Sequence, residues 1–225
     1  MTERRRIRSY VRRQGRLTLA QSDAIARLWP RFALELGSDR FDFARIFGRE
    51  APVVLEIGFG NGEALAQLAI NAPEQNFVGI EVHRPGVGHL LRLLESSALT
   101  NARIICEDAA LVLREHVSSA SLAQVLLWFS DPWPKKRHHK RRLVQPEFIA
   151  LLRERIRPGG YLHLATDWQD YAQHMLATVD ADGGFVNLAG NGRYSPHSVS
   201  RPPTKFEQRG LRLGHEVWDL IYRRA

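Results

Sequence analysis

The sequence has one cysteine, Cys106, so no intrachain disulfide can form and a reducing compartment suits it. It has no apolar run approaching the length of a membrane span, and its arginine-rich start has no apolar signal-peptide core. A soluble, cytoplasmic protein is therefore expected, with no membrane partner. Metal-ligand spacing is missing too. His138 and His139 are adjacent, and no other histidine or cysteine stands at ligand spacing nearby, so no metal site is expected. Cys106 sits in an apolar stretch and reads as a small core residue. There is no internal repeat and no low-complexity segment.

What is present is ample for a core, since 44% of the 225 residues are hydrophobic. The charge is uneven. Seven arginines against Glu3 give residues 1–16 a net +6, and residues 135–142 carry another +6. The whole chain is only +8, so the rest nets −4. Two basic patches on a near-neutral body suit nucleic acid better than a membrane surface, because neither lies on an amphipathic basic helix.

From Ala51 onward, short apolar runs alternate with helical patterns. Strands are expected at Val53 to Ile57, Phe77 to Val82, Arg103 to Cys106, Leu122 to Ser130 and Tyr161 to Ala165. Phe185 to Leu188 and Glu216 to Tyr222 complete the set. Helices are expected between them, among them Glu63 to Ala72, Phe148 to Ile156 (closed by Pro158-Gly159-Gly160) and Tyr171 to Val179. This is an α/β protein with a doubly wound, mostly parallel seven-stranded sheet. Ahead of it, Thr18 and Gln21 make a capping-box signature for a short helix that Pro30 limits or kinks. Three segments result: a basic arm over 1–16, a helix and connector over 17–50, and the sheet domain over 51–225.

Such sheets bind ligands at the carboxyl ends of their strands. Glu56, Glu81, Asp108, Asp131 and Asp167 fall at or just past the ends of the first five. Each alone suits a helix N-cap, but five at one edge would repel one another without a ligand. Gly58-x-Gly60-x-Gly62 follows the first strand, one residue short of the dinucleotide fingerprint, with Glu56 just before it. A carboxylate there repels a pyrophosphate and suits an ammonium group. Glu81 stands where an acid takes ribose hydroxyls. A ligand with ribose, an amine and no phosphate describes S-adenosyl-L-methionine.

After the apolar run LAQVLLWFS comes Asp131-Pro-Trp-Pro-Lys-Lys-Arg-His-His-Lys-Arg-Arg142, a carboxylate stiffened by two prolines and followed by six cations in eight residues. A solvated charged loop and a grip on a polyanion are both open from composition alone. Trp133 is a candidate for stacking on a base, whereas Trp128 reads as core. The long segment Asn187 to Leu213 lacks periodicity and includes TKFEQRG.

VLEIGFGNG with the Glu81 and Asp108 acids resembles a class I methyltransferase, a Rossmann-like fold. DPWPKKRHHKRR, TDW and TKFEQRG, with IRSYVRRQGRLT and LWP near the start, resemble the bacterial tRNA (guanine-N7)-methyltransferases over nearly the whole chain. Ser130 departs from that family, which often has proline there. The resemblance implies that Glu56, Gly58, Gly60, Glu81, Asp108 and Asp131 bind S-adenosyl-L-methionine and that Asp131 is catalytic. It implies substrate contacts from Lys135, Asp167, Thr204, Lys205, Phe206 and Glu207. RNA contacts would come from Arg137, His138, His139, Lys140, Arg141 and Arg142. The product would be 7-methylguanosine at position 46 of tRNA, made by a monomer or homodimer. An exocyclic-amine methyltransferase and a non-catalytic RNA-binding protein are the rival readings.

Overall fold

The computed structural model describes residues 9–10, 15–196, 202, 207 and 216–225. Its centre is a seven-stranded sheet: β1 (Val53–Ile57), β2 (Asn76–Ile80), β3 (Ala102–Ile105), β4 (Leu122–Trp128), β5 (Ile156–Thr166), β6 (Phe185–Asn187) and β7 (Trp218–Arg224). The spatial order is β3-β2-β1-β4-β5-β7-β6. The first five strands are parallel, and β7 runs antiparallel to both neighbours. β1 and β2 are buried at every position, which is why they read as continuous apolar runs without alternation.

Helices described on the sheet are α1 (Leu19–Phe32), α2 (Phe43–Phe47), α3 (Glu63–Asn71), α4 (Arg84–Ser96), α5 (Ala109–Glu115), α6 (Pro146–Arg155) and α7 (Gln169–Asp180). One face packs Val54, Phe77, Leu126 and Trp128 against α1, α3 and α4 through Leu28, Phe32, Leu65, Leu90 and Leu94. The other packs Leu55, Val78, Val125 and Leu162 against Val112, Ile149, Leu152 and Met175 of α5, α6 and α7. Burying each such side chain contributes about 1.5–3 kcal/mol. Among the described residues no helix is long and apolar enough to cross a membrane.

The helix expected from the Thr18 signature is α1. Thr18 Oγ1 accepts from the Gln21 amide at 3.2 Å, and Gln21 Oε1 accepts from the Thr18 amide at 2.9 Å. Pro30 does not end it, because Phe32 is fully buried and the Ala33 N–H still reaches the Trp29 carbonyl. α1 lies on α4, tied by both nitrogens of Arg27 to Glu95, so the helix before the sheet is part of the core.

One boundary moves. Ile156, expected as the end of a helix, begins β5 and pairs with Leu122, and Pro158-Gly159-Gly160 lies inside the strand. The register shift between Leu122 and Gln124 accommodates them, with Gly159 at φ +74°. Proline and glycine are tolerated in a strand at such an irregularity.

Candidate active site

The strand order reverses between β1 and β4, where connections leave in opposite directions and a crevice opens at the carboxyl edge. A cavity of about 910 Å³ occupies that place. Its walls are the ends of β1, β2 and β4 with the loops after them, so three strands deliver Glu56, Glu81 and Asp131 to one chamber.

Glu56 sits in β1 between Gly79 and Leu126, and only 4% of it is exposed. Its Oε2 has no hydrogen-bond partner. Burial, and secondarily the Glu81 carboxylate, push its pKa up to about 8. A buried acid of this kind is held neutral until a cation approaches.

Glu81 directly follows β2 and braces the glycine loop. Its Oε2 accepts from the Gly60 amide at 2.9 Å, and Oε1 accepts from the Val82 and His83 amides at 2.7 and 2.9 Å. Gly60 itself has φ +58°, and a side chain there would project into open space on the cavity wall. The loop is also fixed from behind. A Cβ on Gly86 of α4 would stand 1.9 Å from the Gly60 carbonyl oxygen.

The third strand is followed by two adjacent acids, Glu107 and Asp108. Asp108 is the N-cap of α5, its carboxylate accepting from the Leu111 amide at 3.1 Å, and it does not line the cavity. Glu107 does. The signal was present in the sequence: of two adjacent acids before a helix, the second is placed to cap it.

After β4 the chain makes a tight turn in which Phe129 and Trp133 both have positive φ, +55° and +46°. Asp131, Trp133, Lys135 and His138 line the cavity here. Arg137 and Lys140 are exposed on a short 3-10 turn, Lys136–Arg141. Partial desolvation, then Arg137 and its cationic neighbours, hold the His138 imidazole below its usual pKa, hence neutral at pH 7. The Arg141 guanidinium lies 4.5 Å from the Trp133 ring centroid, so one face of that indole is already covered. Trp128 is core, 6% exposed, as expected.

Arg142, the last of the six cations, is placed differently from Arg137 and Lys140. It is 3% exposed, its Nε donates to the Pro132 carbonyl at 2.9 Å, and its Nη2 donates to Asp170. That guanidinium is turned inward, toward Pro132 and Asp170. His139 is half-buried, with Nε2 3.1 Å from Arg142 Nη2.

Asp167 follows β5 directly but stands off the cavity wall, and Glu207 is buried. Thr204, Lys205 and Phe206 lie outside the described residues, as does most of the basic arm. The sequence did not point to Ser9 and Tyr10, which line the cavity; the Trp133 indole N–H donates to the Ser9 carbonyl at 2.9 Å.

A mostly parallel sheet of this order, with a glycine loop and acids around one cavity, defines a Rossmann-like class I methyltransferase. Solved structures share the fold: "Structure of an antibiotic related Methyltransferase" has a TM-score of 0.60 at 15% identity, covering 84% of this chain and 96% of that one. The 16S rRNA methyltransferase KamB has a TM-score of 0.59 at 16% identity, covering 87% and 99%. A family model described as "Putative methyltransferase" matches residues 50–220. A tRNA (guanine-N(7)-)-methyltransferase from Alcanivorax borkumensis is 53% identical over 97% of this chain and 91% of its own. One from Alkalilimnicola ehrlichii is 55% identical over 99% and 94%. The chain belongs to the tRNA (guanine-N(7)-)-methyltransferase family.

Proposed function

We propose that the protein transfers a methyl group from S-adenosyl-L-methionine to N7 of a tRNA guanine, position 46 in the variable loop. The names of its relatives support the reaction. The observation that carries it for this chain is the single cavity running from buried Glu56 to Asp131 and Lys135, bordered by exposed cations.

The residues fit this donor. The partnerless Glu56 oxygen answers an ammonium group, Glu81 faces the cavity beside Gly60, and the open side of Gly60 admits close approach. The donor, when bound, supplies an electrophilic methyl group on a sulfonium. Guanine N7 has an in-plane lone pair and no proton, so the protein needs no strong base. It needs N7 held in line, a proximity effect, and negative charge near a purine that turns cationic. Asp131 supplies that charge and accepts from the guanine edge. Lys135, Arg137 and Lys140 hold the RNA backbone, whose affinity then falls steeply with salt.

Methyl transfer onto tRNA transcripts with and without guanine 46 tests the reading. The label is expected on N7, and only in the first transcript; label on an adenine or cytosine amine would sink it. Gly86→Ala probes the donor loop. Pushing the Gly60 carbonyl away is expected to weaken donor binding at least about tenfold. Overpacking should remove about 1–3 kcal/mol of stability, a few degrees of melting temperature in a chain of this size. Calorimetry beside a thermal melt reads both.

A further inference from the structure

We infer that Arg142 and Tyr171, neither of which lines the cavity, are positioning residues that clamp the turn carrying Asp131. The inference rests on the role proposed for Asp131. The turn needs holding, because Phe129 and Trp133 bracket Asp131 in left-handed conformations that such residues rarely adopt without support. Two side chains reach it from behind. On one side of Asp131, Ser130 Oγ is 3.2 Å from the hydroxyl of the fully buried Tyr171. On the other, the Pro132 carbonyl accepts from Arg142 Nε at 2.9 Å.

The clamp is itself braced. The Arg142 guanidinium lies 5.1 Å from the Tyr171 ring centroid and is paired with Asp170 at the start of α7. The Tyr171 hydroxyl also takes the Val144 N–H at 3.4 Å. The residues on both sides of Asp131 are thereby tied to α7, through the Ser130 hydroxyl and the Pro132 carbonyl, and to the core beneath it. A planar fork over an aromatic ring does this; a lysine ammonium cannot. Six cations within eight residues look alike in the sequence, and this one faces inward.

Tyr171→Phe removes one hydroxyl, and Arg142→Lys keeps the charge while losing the fork. Each variant is assayed at a temperature where circular dichroism shows it fully folded. Tyr171→Phe is expected to lower kcat about tenfold and Arg142→Lys up to about a hundredfold, the scale of a 1 Å misplacement. KM for tRNA, the donor Kd and the salt slope of tRNA binding should stay within about twofold of wild type. Amide hydrogen exchange over residues 129–133 should quicken in both. Should Arg142→Lys fail to fold, Tyr171→Phe still decides. An unchanged kcat, or exchange over 129–133 no faster than wild type, overturns the clamp. So does a salt slope reduced by about one in Arg142→Lys, the mark of a lost phosphate contact. If wild type itself transfers no methyl to tRNA, the proposed function fails, and the exchange measurement still judges the clamp.

Discussion

Replacing Glu56 with glutamine is expected to make the protein more stable at alkaline pH and unable to hold S-adenosyl-L-methionine. Glu56 is a buried acid with one oxygen unpartnered, and its pKa is raised from 4.5 to about 8 by burial and then by Glu81. Below pH 4.5 both the folded and unfolded chains hold the proton, and the group has no effect. Between about 4.5 and 8 the unfolded chain releases it while the folded chain keeps it, so stability falls as pH rises. Above 8 the loss is complete, on the order of 3–5 kcal/mol. Glutamine does not titrate. Glu56→Gln should therefore melt within a degree or two of wild type near pH 5 and about 5–10 °C higher near pH 8.5.

Binding should run the other way. An ammonium group beside Glu56 favours the ionised form, so donor binding at pH 7 should release close to one proton. Calorimetry in two buffers of different ionisation enthalpy reads this directly. Glu56→Gln should release none and bind at least about a hundredfold more weakly, the scale of a buried charge-assisted contact. A stability gap equal at pH 5 and pH 8.5 would mean that the carboxylate is not strained in the folded state. This is stability given up at a site for function.

Much of this site was readable because a parallel sheet turns one-dimensional order into position. Once VVLEI, FVGI and LAQVLLW are strands, their carboxyl ends must meet at one edge, and Glu56, Glu81 and Asp131 arrive together. The glycine loop was readable for the same reason. What escaped depended on contacts that sequence spacing does not encode. Asp108 and Glu107 differ by one position, and spacing does not show that the first caps α5 through the Leu111 amide while the second lines the cavity. Gly86 looks like an ordinary helix residue until the Gly60 carbonyl is seen against it. Arg142 is one cation of six, and its burial against Asp170 and the Tyr171 ring of α7 and the Pro132 carbonyl of the loop after β4 distinguishes it. The β5 start was missed because a strand irregularity admits a Pro-Gly-Gly that local rules assign to a turn.

Asp131→Asn is expected to lower kcat about a hundredfold to a thousandfold while leaving the fold intact. Asp131 is exposed on the cavity rim, so neutralising it should cost little stability, about 1 kcal/mol, against a far larger effect on rate. Its contribution is to a transition state in which positive charge moves from sulfur onto the purine. Removing one preorganised electrostatic partner of a developing charge has an effect of this size. Asparagine keeps the shape and one acceptor but loses the charge, which separates electrostatic support from packing. Asp131→Glu keeps the charge and shifts it by one methylene, and should fall between the two. Single-turnover kinetics with donor and tRNA saturating isolates the chemical step, and a wild-type rate for Asp131→Asn would refute the role. Were the carboxylate needed to hold the turn rather than to face the purine, its loss would appear in the melting curve and in the exchange of residues 129–133. The expectation is a loss confined to the rate.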